Sequence, residues 1–259
     1  MNAIVGITLA HLLNTSTVAP GPDDAMTHQM THRARYHLPV DPTEVGLAAY
    51  LPTATPAEIL KAPPTLFVAG DTRLFQSKWR VAIVGSRDAS ELSLRRARKL
   101  AFELVRAGGV VVSGLALGVD TAAHLGALEA KGRTIAVIGT PLDKAYPAEN
   151  AELQAVIARD HLLVSQFRSG TRVFPSNFVA RNRTMALIAQ ASVIVEAGDS
   201  SGSLSQAAEA QRFGRPVFFL RSVLERTGLA WPQRFLDYKP NPARVLDNTS
   251  QLVDVLAST

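Results

Sequence analysis

The chain contains no cysteine. Disulfides, cysteine nucleophiles, thiolate zinc sites and iron–sulfur clusters are therefore excluded, and several enzyme classes go with them. Neither GxGxxG nor GxxxxGK[ST] occurs, so the usual marks of dinucleotide and P-loop chemistry are also missing. No apolar run reaches the roughly 18 residues that a membrane span requires. The opening stretch MNAIVGITLAHLLN is apolar but too short to span, and it lacks the basic leading region of a signal peptide. It reads as a short helix, and a cytoplasmic location with no membrane partner is the default expectation.

At 259 residues with 47% apolar composition, the chain can form one large α/β domain plus a small appendage. The formal charge of +5 is a modest basic excess that suits an acidic partner such as nucleic acid. Between Thr15 and about Pro64 the sequence is rich in Pro, Thr and His, with little periodicity beyond a short helix near Pro56 to Lys61. Residues 1–63 therefore read as an N-terminal arm, poorly ordered or partly helical. Apolar runs then recur at Val81–Val84, Val110–Val112, Ile135–Ile138, Leu162–Val164, Val193–Val195 and Val217–Leu220. Helical spacing separates them: Leu94, Ala97, Ala101, Leu104 and Val105 share one face, with Ser90 as N-cap and Gly108 as the stop. Continuous hydrophobic strands alternating with helices predict a Rossmann-like, doubly wound, mostly parallel sheet with helices on both faces over residues 64–221. Residues 222–259 read as a C-terminal helical extension packed on the same domain.

In a parallel sheet the residues after each strand converge on one edge, where ligands bind. That edge would hold Gly85, Ser86 and Arg87, then Ser113, Gly114 and Gly118, then Gly139 and Thr140, and finally Ser201, Gly202 and Ser203. Small residues and amides at helix starts favour anions, although the same residues also simply make tight turns. Arg181, Asn182 and Arg183 follow Phe174 and Phe178. Guanidiniums beside aromatic rings are the parts of a single-strand groove, with Phe174 and Phe178 as base-stacking candidates; equally, the rings could be core and the arginines surface. The cluster Arg95, Arg96, Arg98 and Lys99 reads as a solvated helix face, with Lys99 able to pair with Glu103.

Catalytic arrangements are thin. Ser113, Asp120 and His124 lack the sharp nucleophile turn of a relay, so Asp120 reads as an N-cap and His124 as a helix residue touching the turn. His28, His32 and His37 lack the glutamate of a zinc-binding HExxH, so no metal and no cofactor is assigned.

VAIVGSR, VVSGLALGVDTAAH, GRTIAVIGTPLDKAYPAEN, FVARNR and SSGSL, in this order, resemble the DNA-processing protein A family (DprA, also called Smf) over about Pro64 to Leu220. The resemblance implies an extended Rossmann domain that binds single-stranded DNA, forms a homodimer and loads a RecA-type recombinase during natural transformation, without being an enzyme. By position it makes Arg87, Arg181 and Arg183 phosphate contacts, and Ser113, Gly114, Gly118 and the Ser201-Gly202-Ser203 turn the walls of an anion pocket. The chain departs from the family pattern at Gln166, Val179, Leu187, Gln206 and Leu220-Arg221. A second resemblance, to LOG-type nucleotide phosphoribohydrolases, implies hydrolysis of a nucleotide N-glycosidic bond. There Gln206 falls where that family has its glutamate, which leaves Glu196 and Glu209 as the candidate acids.

Overall fold

The computed structural model describes residues 36–52 and 54–258. Among the described residues nine strands form one sheet: β1 (Thr43–Gly46), β2 (Thr65–Gly70), β3 (Arg80–Val84), β4 (Val110–Ser113), β5 (Thr134–Ile138), β6 (Leu162–Ser165), β7 (Ala191–Ile194), β8 (Val217–Leu220) and β9 (Arg244–Leu246). Their order is β1-β2-β6-β5-β4-β3-β7-β8-β9. The run from β6 to β9 is parallel, and β2 is antiparallel to both of its neighbours. The chain winds outward from β3 to β6 on one side and from β7 to β9 on the other. The switch in direction therefore falls between β3 and β7, whose backbones pair from Val81–Ala191 to Val84–Ile194.

The helices are α1 (Leu47–Tyr50), α2 (Pro56–Ile59), α3 (Glu91–Arg106), α4 (Val119–Glu129), α5 (Ala151–Asp160), α6 (Pro175–Ile188), α7 (Gly202–Arg212), α8 (Trp231–Leu236) and α9 (Thr249–Ala257). The central strands are buried on both faces because both are covered. On one face Ala82, Val112, Ile135 and Val137 pack against α6, α7 and α8. On the other, Val81, Ile83 and Val111 pack against α3, α4 and α9, while Ala136 and Ile138 pack against α5. The α3 stripe is as expected, with Ala97, Ala101 and Leu104 fully buried. Ser90 caps it through a bond from the Ser93 amide, and Gly108 follows at φ +91°.

The structure extends the sequence reading at both ends of the sheet. Within the segment read as an arm, Thr43–Gly46 is an edge strand paired with β2, and β2 itself follows a Pro-Pro pair that masks its short alternating pattern. The short helix expected near Pro56 is α2, capped by Thr55 in a reciprocal box with Glu58. Glu58 also pairs with Arg215 at 2.6 Å, which fastens this segment to the domain. After residue 222 the chain contributes not only helices but a parallel strand, β9.

Candidate nucleic-acid interface

The glycine-rich ends of β3, β4 and β5 lie side by side, and α6 crosses above them. Helix α6 opens with Pro175 at its first turn and is buried along most of its length, so its polar residues are held close to the sheet edge. Phe178 and Arg181, one turn apart, face the same way. Their approach explains two glycines. A Cβ on Gly139 would lie 2.6 Å from the Phe178 ring, and one on Gly114 would lie 1.4 Å from Arg181 Nη1. A slot of about 80 Å³ results, lined by Arg87, Gly114, Ala116, Leu117, Gly139, Tyr146, Pro147, Phe178 and Arg181. Tyr146 and Phe178 meet as tilted rings 5.3 Å apart, and Tyr146 is half exposed at 51%.

Arg181 is 6% exposed and donates from Nη1 to Val137 O at 3.0 Å. Its Nε is buried without a partner. Asp120, also buried, accepts from the amides of Gly114 at 3.1 Å and Ala116 at 3.4 Å. Burial pushes the Asp120 carboxyl above the ordinary carboxylate range and the Arg181 guanidinium below its own, and the opposite charge of each works against the shift in the other. Arg87, by contrast, is exposed at the rim and has no ion pair among the described residues.

The turn between β4 and α4 is strained. Leu115, fully buried, sits at φ +58°, and its carbonyl accepts from Asn150 Nδ2 at 2.9 Å. Gly118 sits at φ +78°, and a Cβ there would also strike the carbonyls of Ser86 and Arg87 at 2.3 and 2.5 Å, so the position requires glycine on both counts. The GSR turn and the start of α4 are thus locked together, with Val119 N donating to Ser86 O at 3.2 Å.

This geometry redistributes the residues marked in the sequence. Arg87, Gly114, Arg181 and Phe178 share the slot. Gly85 and Ser86 support it from below: the Ser86 amide donates to Glu196 O at 2.8 Å, and a Cβ on Gly85 would strike Val119. Ser113 is fully buried and donates to Ile83 O at 2.7 Å, so its hydroxyl holds the sheet rather than facing a ligand. Asn182 donates to Gly202 O at 3.1 Å and joins α6 to α7. Ser201, Gly202 and Ser203 lie outside the slot, and the two serine hydroxyls bond each other at 2.7 Å. Arg183 also lies outside and faces Glu209 at 3.5 Å, because it stands about 200° around the helix from Arg181. Phe174 is exposed beyond the slot, with the Arg172 guanidinium over its ring at 5.3 Å.

Other expectations change too. Asp120 is not the N-cap of α4, a position held by Gly118; it lies inside the first turn and reaches back to the loop amides. His124 does not touch the turn but meets Thr134 Oγ1 at 2.7 Å beneath the sheet. The basic cluster on α3, by contrast, is the solvated face expected, with Arg95 paired with Glu91, Arg98 with Glu129 and Lys99 with Glu103. His28 and His32 lie outside the described residues, and among those described no group of side chains suits a metal ion. No described helix is long and apolar enough to cross a membrane. The residue that sequence reasoning missed is Tyr146. Its signal is a tyrosine before a proline after the third apolar run, within the GRTIAVIGTPLDKAYPAEN stretch.

Fold and site together define a doubly wound α/β protein whose sheet edge carries the exposed Arg87 beside an aromatic slot. The chain belongs to the family of DNA recombination-mediator protein A, whose model matches residues 49–255. It is 43% identical to DNA processing protein DprA of Streptococcus pneumoniae over 162 residues, covering 62% of this chain and 57% of that protein. It is 40% identical to protein Smf of Synechocystis over 166 residues, 63% of this chain and 42% of the other. The chain thus spans about half the length of these curated relatives. Among solved structures, DprA of S. pneumoniae superposes with a TM-score of 0.70 at 34% identity, covering 82% of this chain and 73% of that one. DNA processing protein A of Helicobacter pylori, described for its single-stranded DNA binding mode, gives 0.71 at 28% identity, covering 87% and 99%. A molybdenum cofactor binding protein from Rippkaea orientalis, at 20% identity and 0.52 over 70% of this chain and 96% of the other, shares the fold alone.

Proposed function

We propose that this chain binds single-stranded DNA and acts in DNA processing for transformation or recombination, gripping the strand without breaking a covalent bond. The observation that carries this reading is the single slot in which the exposed Arg87 stands beside Phe178 and Tyr146. An unpaired cation holds backbone phosphate while rings accept bases, a combination that is tolerant of sequence and needs unpaired bases. Membership in the recombination-mediator family, and the single-stranded DNA binding mode of the H. pylori relative, point the same way.

Hydrolysis of a nucleotide finds no comparable support. Glu196 accepts from Ser90 Oγ at 2.9 Å and from Arg226 at 2.8 Å, Glu209 is paired with Arg212 and Arg183, and Gln206 donates to Ser192 at 2.9 Å. The two carboxylates serve ion pairs, and Gln206 is an uncharged amide that serves the core. Within the same proposal the bound strand passes to a RecA-type recombinase, and the protein works as a homodimer in the cytoplasm; the family resemblance supports these steps.

Fluorescence anisotropy with a labelled oligonucleotide, single-stranded and as a duplex, at two salt concentrations tests the reading. Expected is a preference for the single strand, with affinity falling at a log–log slope of about −0.7 for each phosphate neutralised. Equal affinity for both forms, or indifference to salt, would overturn it. Release of free base from AMP or nicotinamide dinucleotides would overturn its non-catalytic part.

A further inference from the structure

The two arginines of the slot are in different electrostatic states. Arg87 is exposed and lacks an ion pair among the described residues, whereas Arg181 is buried beside a buried carboxylate. Asp120 Oδ2 and Arg181 Nη1 lie 2.7 and 1.4 Å from one point, the place a Cβ on Gly114 would take. The carboxylate therefore compensates the guanidinium, and the floor of the slot carries little net charge.

The walls are apolar: Ala116, Leu117, Tyr146, Pro147 and Phe178. A phosphate would have to shed its hydration against these groups with no uncompensated cation beneath it, which is costly. An uncharged flat ring loses little on entering. Arg181 offers that ring only donors, because a guanidinium has five N–H groups and no acceptor. Its Nη1 serves Val137 O and its Nε is buried away from the slot, while Nη2 makes no bond among the described residues and is left, with the second Nη1 hydrogen, to meet the ring. Two backbone donors at the floor, the Gly114 and Ala116 amides, do not compete for the ring, since both are committed to Asp120.

Resting on the single-strand reading above, we propose that the slot receives the edge of one nucleobase, that Arg181 selects guanine there, and that Arg87 alone of the pair contacts phosphate. Guanine presents adjacent acceptors, O6 and N7, to a fork of donors. Adenine sets an amino donor beside its N7 and so opposes a guanidinium hydrogen with another hydrogen. Arg181 is thus a specificity-determining residue in a protein that otherwise holds its ligand by backbone and stacking.

The test uses uncharged nucleosides as competitors against a labelled single-stranded oligonucleotide on the full chain. Guanosine is expected to displace the oligonucleotide at about one-tenth the concentration of adenosine, the discrimination a good bidentate contact gives, and 7-deazaguanosine to behave like adenosine. Arg181→Lys keeps the charge but loses the fork. It is expected to abolish the preference while leaving the salt slope unchanged, whereas Arg87→Ala lowers the slope and keeps the preference. Equal potency of the nucleosides on the wild-type chain, or a guanosine preference retained in Arg181→Lys, would overturn the inference. The nucleoside arm needs no variant and so stands even if the buried substitution fails to fold. Salt-sensitive binding without base preference overturns the inference alone; no binding of any single strand at low salt overturns the proposed function as well.

Discussion

Asp120 and Arg181 approach each other beneath Gly114, their Oδ2 and Nη1 atoms 2.7 and 1.4 Å from where a Cβ on that glycine would stand. The carboxylate arrives from the first turn of α4 and the guanidinium from α6, so two helices on opposite faces of the sheet meet at its edge. The Gly114–Ala116 backbone is tied to the same carboxylate. One glycine thus holds open a junction on which the loop, the slot floor and the α6 position all depend.

Gly114→Ala is expected to destabilise the protein by about 1–3 kcal/mol, because the methyl group must push a buried guanidinium aside and nothing nearby can yield cheaply. Urea unfolding at neutral pH reads this directly. A midpoint unchanged from wild type would show that Arg181 is free to move.

Arg87→Ala is expected to weaken single-stranded DNA binding by a similar factor for every sequence, since phosphate contacts carry no base information. The side chain is exposed and unpaired among the described residues, so stability should shift by no more than about 0.5 kcal/mol. Anisotropy titrations against oligonucleotides of different composition would contradict this if the loss fell on one composition only.

Tyr146→Ala removes an exposed ring that the fold does not need. Binding of single strands is expected to weaken by about 1–3 kcal/mol, the worth of one stacked base, with a thermal midpoint close to wild type. Binding at wild-type strength would remove Tyr146 from the site.

Acid should destabilise the protein through two buried histidines. Burial pushes His124 down to about 3 and His161 down to about 4, with further repulsion between His161 and His124 and from Arg133 on His161. Both values lie below the ordinary one near 6.5, so the folded chain keeps these rings neutral while the unfolded chain takes up protons. Above pH about 6.5 they cost nothing; as pH falls from there toward 4, stability drops by up to about 1.4 kcal/mol per unit for each ring. Denaturant midpoints at pH 7, 6 and 5 should decline, and His124→Gln should flatten the decline. A midpoint constant over that range would refute the account.

Glu58 and Arg215 offer a test of whether α2 belongs to the domain. Burial alone would raise the Glu58 carboxyl, but hydrogen bonds from the Thr55 amide and hydroxyl, with the Arg215 guanidinium, hold it below its ordinary range. Arg215→Ala leaves that buried carboxylate without its cation and is expected to cost about 3 kcal/mol. Loss of well under 1 kcal/mol would mean that the segment before residue 64 detaches freely.

Periodicity revealed the parallel core because strands covered on both faces must be apolar throughout, as VAIV, TIAVI and LLV are. It did not reveal β1, β2 and β9, which lie toward the sheet margins, where fewer residues are buried and prolines interrupt the pattern; their strand character comes from pairing with a neighbour. Much of the site was legible as types: a glycine turn, an arginine after a strand, an arginine-aromatic stretch. Which arginine shares a cavity with which turn was not legible. Arg181 and Arg183 are two residues apart in sequence, yet helical geometry sends one under Gly114 and the other to Glu209.

The order of hydrophobic runs and turns in the chain determined by itself a doubly wound sheet with glycine-rich turns at its strand ends, because those follow from local spacing and from what a buried strand must contain. Only tertiary structure decided that the Gly114 and Ala116 amides turn inward to Asp120, that Ser113 serves the core, and that Tyr146 closes a slot with Phe178. Each of these depends on the direction in which a side chain or an N–H points after distant segments have packed, and no local pattern encodes that direction.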